Sequence, residues 1–411
     1  MDVLLFWLAL GLIVYTYVGY PALMGLLARR ARPVPRPPDD FTPPVVMLIP
    51  AYNEIAVIRD KIANCLAQVY PRDRLRILVV NDGSTDGTAE YLRSVPDIEL
   101  LEISPRGGKP SALNHAFRHL AATTPDFDAT VVVLSDANTM LNPQAVRNLA
   151  RHFARPEVGC VAGEKRVQHS GQVTGAGESL YWRYESTIKR WESRVGDVMG
   201  ADGVLYAVRP TLFVPLHPDT FMDDFMISMS IGMQGYRLVY EPDAYAVEQA
   251  PLSAAQEWKR KLRISGVGIQ PIRRLLPLLN PLRYGFLTFQ YVSHRVLRWT
   301  LTPLLLVVIL PLNAWLAWRL GGLYQSLLGC QLLFYAAAWA GHKQEQRGAR
   351  WRPLYVPYYF TLMNLAVFVG AWCYLSGRQD IRWERVQRLR GQAPPTAQDA
   401  SDFTDKAGPS R

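Results

Sequence analysis

The sequence predicts an α/β domain built on a parallel sheet and held between membrane-spanning helices. Three observations predict it. First, β-branched and apolar runs alternate with stretches of helical spacing from Val45 to about Phe153, which implies strand–helix–strand units and a sheet covered on both faces. Second, three such runs lead into acidic residues: Asn81-Asp82-Gly83-Ser84, Ser135-Asp136-Ala137-Asn138, and Asp223-Asp224. Carboxylates at the carboxyl ends of parallel strands face the crevice where open α/β sheets bind ligands. Third, the 411 residues are 49% hydrophobic with only 19% charged, and the apolar residues gather at the two ends of the chain.

Taken in order, residues 3–27 carry no charge and are long enough to cross a bilayer. A start of Met1-Asp2 lacks the basic character of a cleaved signal, so residues 1–28 read as a retained anchor. Arg29, Arg30, Arg32 and Arg36 follow it and place the next domain in the cytosol by the positive-inside rule. Residues 29–44 form a proline-rich linker. The domain proper covers 45–255, with strands expected at 45–49, 75–80, 98–103 and 131–134. Helices are expected at 55–69, 85–95, 111–122 and 143–153. Farther on, 178–192 and 224–235 read as helices, the second ending on a glycine suited to a left-handed cap, and 238–240 and 244–247 as short closing strands.

Composition changes at residue 256. Between 256 and 298, Lys259, Arg260, Lys261, Arg263, Arg273, Arg274 and Arg283 interleave with Trp258, Leu262, Leu275 and Leu276, the pattern of helices lying in a membrane interface. Residues 299–376 form a carboxyl-terminal transmembrane region with candidate spans at 299–316, 323–340 and 354–375, and 377–411 a polar tail, cytosolic or disordered. Four spans in all would leave that tail outside, whereas Arg378, Arg382, Arg385, Arg388 and Arg390 place its start inside. One apolar segment is therefore expected to be re-entrant or interfacial.

The net charge of +10 suits a membrane protein and attraction to anionic lipid or a phosphorylated substrate. No basic-aromatic module is present, which excludes nucleic acid as the expected partner. Cys65, Cys160, Cys330 and Cys373 are scattered without a CxxC pair, which excludes a zinc ribbon or a disulfide scaffold.

The chemistry lies in the acidic stations. Pro50-Ala51-Tyr52-Asn53-Glu54 and Asp82-Gly83-Ser84-Thr85-Asp86-Gly87-Thr88 combine carboxylates able to accept from a nucleoside with glycines that let backbone approach it; capped strand–helix turns are the alternative. Arg106-Gly107-Gly108-Lys109 is a basic loop able to meet phosphate. Asp136 and Asn138 are hard oxygen ligands one residue apart, suited to Mg²⁺ or Mn²⁺ bound together with a diphosphate, or else an Asx turn. Asp223 and Asp224 open a helix, either as its cap or as a base for an acceptor hydroxyl.

These motifs, with Ala112-Leu113-Asn114, Gly200-Ala201-Asp202-Gly203 through Arg209, and Gly235-Tyr236-Arg237, come in the order seen in family 2 inverting glycosyltransferases. The chain resembles the membrane-bound branch that includes hyaluronan, cellulose and poly-N-acetylglucosamine synthases, over roughly residues 45–270. The resemblance implies a GT-A (Rossmann-like) fold, a nucleotide-sugar donor (usually a UDP-sugar) and a divalent metal. It implies that Asp82 contacts the base beside Pro50, Tyr52 and Glu54, that Asp136 holds ribose and metal, and that Asp224, next to Asp223, is the general base. It implies that Lys109 and Arg263 lie toward the donor and that Asp202 and Trp258 lie on the acceptor side. Two departures stand out. Asn138 replaces the second carboxylate of the DxD motif, so Glu248 is a candidate to complete the metal set. Arg260-Lys261-Leu262-Arg263-Ile264 replaces the QxxRW motif, whose tryptophan stacks on the acceptor in processive relatives; Trp258, Tyr181, Trp182, Tyr184 and Trp191 are alternative stacking surfaces. The expected activity is transfer to a growing extracellular polysaccharide at the inner membrane, with an export partner or a homo-oligomer as possible company. A single transfer to a lipid-linked acceptor, or a non-catalytic scaffold subunit, are the alternatives.

Overall fold

A computed structural model describes residues 1–32, 37–168, 175–249, 268–346 and 352–376. The expected Arg263 and Trp258 and the tail from 377 lie outside the described residues, as does part of the proline-rich linker.

One eight-stranded sheet organises the chain, in the order β3-β2-β1-β4-β7-β6-β8-β5. β1 (Val45–Ala51), β2 (Leu75–Asn81), β3 (Glu99–Glu102) and β4 (Val131–Leu134) are mutually parallel. Every residue of β1 is buried, as expected for a central strand covered on both faces. β5 is Thr139–Leu141, β6 Val158–Gln168, β7 Tyr206–Val208 and β8 Arg237–Gln249. β7 runs antiparallel to both β4 and β6, and β5 antiparallel to β8. The expected parallel pairing therefore holds for β1 to β4 and returns between β6 and β8, while β7 and β5 run against their neighbours. The two short closing strands are one long strand, β8, whose pairing with β6 shifts register around Pro242 and Asp243. That irregularity fits a proline, which cannot donate to the ladder.

Continuous with the amino terminus, α1 (Asp2–Val14), a π-helical turn at Tyr15–Gly19 and α2 (Tyr20–Arg30) form one helical rod. Within the domain follow α3 (Ile58–Leu66), α4 (Thr88–Arg93), α5 (Lys109–Thr123), α6 (Ala145–Ala150), α7 (Gly175–Val195) and α8 (Asp223–Met233). The helix expected from residue 85 begins at Thr88 because Gly87 sits at φ 91°, a left-handed conformation that suits glycine. α8 ends as expected, on Gly235 at φ 89°. Two apolar layers cover the sheet. One joins α5 and α8 to Val46, Leu48, Leu78 and Val80; the other joins α3 and α6 to Met47, Ile49, Ile77 and Val79.

Beyond the sheet, Phe286–Tyr291, a second π-helical turn at Val292–Val296 and Leu297–Trp299 lead into the helix Leu301–Leu320. The chain doubles back at Gly321 and Gly322, both at positive φ, into Leu323–Gln346 and then Arg352–Leu375. Among the described residues, three helices are long and apolar enough to cross a membrane: Asp2–Arg30, Leu301–Leu320 and Pro353–Cys373. Leu323–Gln346 is as long but carries Gln325, Gln331, Lys343 and Glu345. Within the segment expected to form interface helices, the described residues make short helical pieces at Ile269–Arg274, Leu276–Leu279 and Pro281–Tyr284, with Leu276, Leu282 and Phe286 exposed.

Candidate active site

The first two acidic stations are stitched together by local hydrogen bonds. Asn53, at φ 55°, receives the Thr85 amide on its side-chain oxygen at 2.7 Å and donates its own amide to Ser84 Oγ at 2.9 Å. The Glu54 amide donates to Thr88 Oγ1 at 3.0 Å. Both oxygens of Asp82 accept backbone amides at 2.8 Å, from Gly107 and from Gly108. Its buried carboxylate thus organises the basic loop between β3 and α5 and lies 3.8 Å from Arg106 Nε. The Arg106 guanidinium lies 3.6 Å above the centre of the Tyr52 ring, an arrangement that favours cation–π attraction.

Lys109, the first residue of α5, enters the centre of the site. Its Nζ donates to Asp136 Oδ1 at 2.9 Å and lies 3.0 Å from Asp223 Oδ2. Burial opposes its charge, but Asp136, Asp223 and Asp224 outweigh burial and hold it firmly protonated, well above the usual lysine range. Asp224 completes the cluster. A Cβ placed on Gly203 would stand 3.2 Å from Asp224 Oδ2 and 3.5 Å from both Asp136 Oδ2 and Lys109 Nζ. The bare backbone of Gly203 leaves these three charges close over it, and a side chain there would press first on Asp224. Burial first, and then the neighbouring Asp223 carboxylate, push the Asp224 carboxyl up to about 7. Burial likewise raises Asp223, against the pull of Lys109. Neither aspartate caps the helix: the cap position is Met222, and both sit in the first turn of α8.

The second station stands on a support that was not evident in the sequence. Lys61 of α3 is fully buried and donates to Ser135 Oγ at 2.7 Å and to the Thr139 carbonyl at 2.8 Å; Ser135 Oγ in turn donates to the Val204 carbonyl. Asp136 is held between this anchor and Lys109, in a small cleft also lined by Pro50, Gly203 and Tyr206. Tyr206 is buried and its hydroxyl finds no hydrogen-bond partner among the described residues; burial, with Asp223 and Asp224 nearby, raises that hydroxyl well above the usual tyrosine range.

Asp202 ion-pairs with the buried Lys189 of α7 at 2.5 Å, near enough to Asp224 to act on its charge. Glu248 falls away from the cluster: it lies on β8 opposite Thr139 of β5, and its carboxylate pairs with Lys165. Among the described residues no three acidic, histidine or cysteine side chains gather as a metal-holding group. Asp136 with Asn138 therefore fits a divalent ion only of the kind completed by substrate phosphates and water, which is how Mg²⁺ is commonly held. Tyr184 and Trp191 do not form an open stacking surface; they pack against Tyr20 and Met24 of α2.

A sequence model of glycosyl transferase family 2 matches residues 47–206, and one of glycosyl transferase family group 2 matches residues 131–372, more than half of the chain. The chain belongs to glycosyl transferase family group 2. Curated relatives of this transferase include the poly-beta-1,6-N-acetyl-D-glucosamine synthases of Staphylococcus aureus strain COL, 26% identical, and of Staphylococcus epidermidis, 24% identical, each over 238 residues. The matched stretch covers 56% of this chain and 56% of each of those proteins, so the chain spans about half the length of the curated relatives it matches. Among solved structures, a mannosyltransferase from Pyrobaculum calidifontis in complex with GDP-Man and Mn²⁺ superposes with a TM-score of 0.68 at 24% identity, covering 91% of this chain and 100% of that one. The fold is thus GT-A-like, as the motif order implied.

Proposed function

We propose that this transferase is an inverting, membrane-integral enzyme that moves a sugar from a nucleotide-sugar donor, UDP-linked in the first instance, to a growing polysaccharide, with its catalytic domain facing the cytoplasm. The convergence of Lys109, Asp136, Asp223 and Asp224 over Gly203, at the carboxyl ends of the parallel strands, carries the reading. The poly-N-acetylglucosamine synthases among its relatives support polysaccharide as product.

Asp224 takes the proton of the acceptor hydroxyl, and the oxygen attacks the anomeric carbon in line with the departing diphosphate. A carboxyl poised near 7 is matched to that task, since near neutral pH a large share of it is ionised and that form is a stronger base than an ordinary carboxylate. Lys109, held protonated, offsets charge building on the diphosphate. Asp82 fixes the Gly107–Gly108 loop beside the nucleoside and, with Pro50, Tyr52 and Glu54, lines the base side. Arg263 is proposed to support the diphosphate, and Asp202 and Trp258 to face the acceptor. Asp136 and Asn138 would hold a divalent ion, which supplies electrophilic stabilisation of the leaving group when bound; the Mn²⁺ in the mannosyltransferase complex supports such an ion.

The deciding experiment supplies the purified full chain in nanodiscs with radiolabelled UDP-N-acetylglucosamine and Mg²⁺ or Mn²⁺. UDP release with label in a polymer is the expected result. Label confined to the organic phase would replace the polymer by a lipid-linked acceptor, a variant favoured by Arg260-Lys261-Leu262-Arg263-Ile264 standing where processive relatives have QxxRW. Absence of UDP release with any UDP- or GDP-sugar would sink the catalytic reading. Asp224→Asn should cut turnover by about 100-fold or more while UDP still binds.

A further inference from the structure

Away from the acidic cluster, α7 carries Glu185 and Glu192, nearly or wholly out of solvent, and turns them toward the amino-terminal rod and the turn at 292–296. Between them lies His294, completely buried in the π-helical turn 292–296. Its Nδ1 is 2.7 Å from Glu192 Oε1 and its Nε2 is 3.2 Å from Glu185 Oε2. Arg298 donates to Glu185 and to the Tyr184 hydroxyl, and Arg295 stands 3.5 Å from Glu185. The amino-terminal membrane rod joins at Tyr20, whose hydroxyl donates to Glu192 Oε1 at 2.5 Å, and at the Tyr17 carbonyl, which accepts from Tyr184. Such a charge network, wholly desolvated, is costly unless geometry is held tightly.

The same groups grip the backbone that leads to the acidic cluster. Glu192 Oε2 accepts the Met199 amide at 3.2 Å, and Arg295 Nε donates to the Met199 carbonyl at 2.9 Å. Three residues on, Asp202 is held by Lys189, which lies on α7 between the two glutamates. Gly200, at φ 91°, leaves no room for a side chain against Phe225: a Cβ there would stand 2.3 Å from the ring. The Ala201 amide donates to Ser228 Oγ, which donates to the Asp224 carbonyl at 2.8 Å. Gly203 then forms the floor under Asp224, Asp136 and Lys109. An unbroken series of direct contacts thus runs from a membrane helix to the first turn of α8.

We propose that Glu192, clamped by His294 and Tyr20, is a positioning residue that sets the 199–203 loop under Asp224, so that the seating of the amino-terminal membrane rod governs transfer without touching the donor. The kinetic half of this proposal rests on the transferase reading above; the structural half does not. A chain of contacts alone does not establish coupling, so the test perturbs one end and reads the other.

The full chain in nanodiscs is prepared as wild type, Tyr20→Phe, Glu192→Gln and Glu192→Ala. Hydrogen exchange is followed by mass spectrometry, and UDP-binding sites are counted by titration. Tyr20→Phe should accelerate exchange across 198–205 by about 3-fold or more while β1 and β2 stay unchanged, as a local opening does. With UDP-N-acetylglucosamine, turnover per UDP-binding site should fall about 10-fold in Glu192→Ala with donor KM unchanged, the size expected when a reacting geometry slips by under 1 Å. Glu192→Gln, which keeps an oxygen for the Met199 amide, should recover most of it. Unchanged exchange at 198–205 in Tyr20→Phe overturns the proposal, and so does turnover per site equal to wild type in Glu192→Ala. Exchange rising equally everywhere also overturns it, because that marks general destabilisation. If Glu192→Ala does not fold, Tyr20→Phe decides by both readouts. A wild type silent with every donor defeats the transferase reading, and the exchange result then decides this one.

Discussion

Asp224 carries two opposed demands. As the proposed base it must be ionised, yet burial and Asp223 raise its carboxyl to about 7. Transfer should therefore fall as pH drops through about 7, with an acid limb in kcat/KM near that value. Stability should run the other way. A carboxyl whose folded pKa lies above its unfolded value of 3.8 binds protons more readily when folded, so ionisation costs stability progressively from pH 4 to 7. Asp224→Asn removes that cost and should stabilise the protein at pH 8 by about 1 kcal/mol or more, with the gain shrinking toward pH 5 in thermal melts at both pH values. Gly203 offers a complementary test. Gly203→Ala places a methyl 3.2 Å from Asp224 Oδ2, and turnover should drop by about 10-fold or more with the melting temperature little changed. The charged residues most telling for the site were the least legible in sequence. Lys61, Lys189, Glu185 and Glu192 lie on helices at spacings that read as solvated faces, and only tertiary partners show them buried. Asp82 and Asp136 were legible because each follows a buried strand, whereas Asp223 and Asp224 follow a partly exposed loop and not the strand end that their apolar lead-in suggested.

At the scale of elements, the turns after β1 and β2 and the loop before α5 act as one unit, with Asp82 as its pin. Charge-assisted bonds from a carboxylate to backbone amides are strong. Asp82→Asn should loosen the loop and weaken UDP binding by about 10-fold in calorimetric titration, leaving kcat at saturating donor closer to wild type. The central strands could be placed from sequence almost residue by residue, because β1, β2 and β4 are continuous apolar runs. β6 was not, since Gly159, Gly163, Glu164, Lys165 and Arg166 interrupt its pattern. Its charges are satisfied locally instead, Lys165 by Glu248 and Arg166 by Glu164 and the Tyr245 ring. β8 was divided in two by Pro242-Asp243, where the chain shifts register without leaving the sheet.

Over the whole molecule, the sheet that carries the acidic cluster and the helices of spanning length share a single framework. The amino-terminal rod packs on Leu301–Leu320 through Phe6, Ala9, Ile309 and Leu316, and on α7 through Tyr20 and Met24. Composition located the membrane helices at both ends; it did not reveal that the first would return to the last. Asp2 accepts from Arg319 and Trp315, so the outer ends of these helices are tied as well. With three helices of spanning length and hydropathy, the arginine-bearing tail is expected on the cytoplasmic side, and a carboxyl-terminal green fluorescent protein fusion should fluoresce in cells.

The two π-helical turns, 15–19 and 292–296, face each other through Tyr15 and Ser293, whose hydroxyls are 2.8 Å apart. Each such turn holds a residue more than an α-helical turn would. The wide turn absorbs that residue, so the helix on either side keeps its phase; rewinding the turn as regular helix with every residue kept would rotate everything beyond it by about 100°. These turns therefore act as phase keys. A residue inserted or deleted in the regular helix just after 292–296, where no wide turn takes it up, would rotate the following helix by about 100° while the sheet stayed intact. Length changes in relatives should therefore be tolerated at these two turns and on surface loops, and hardly at all in the regular helix between them and the long apolar helices.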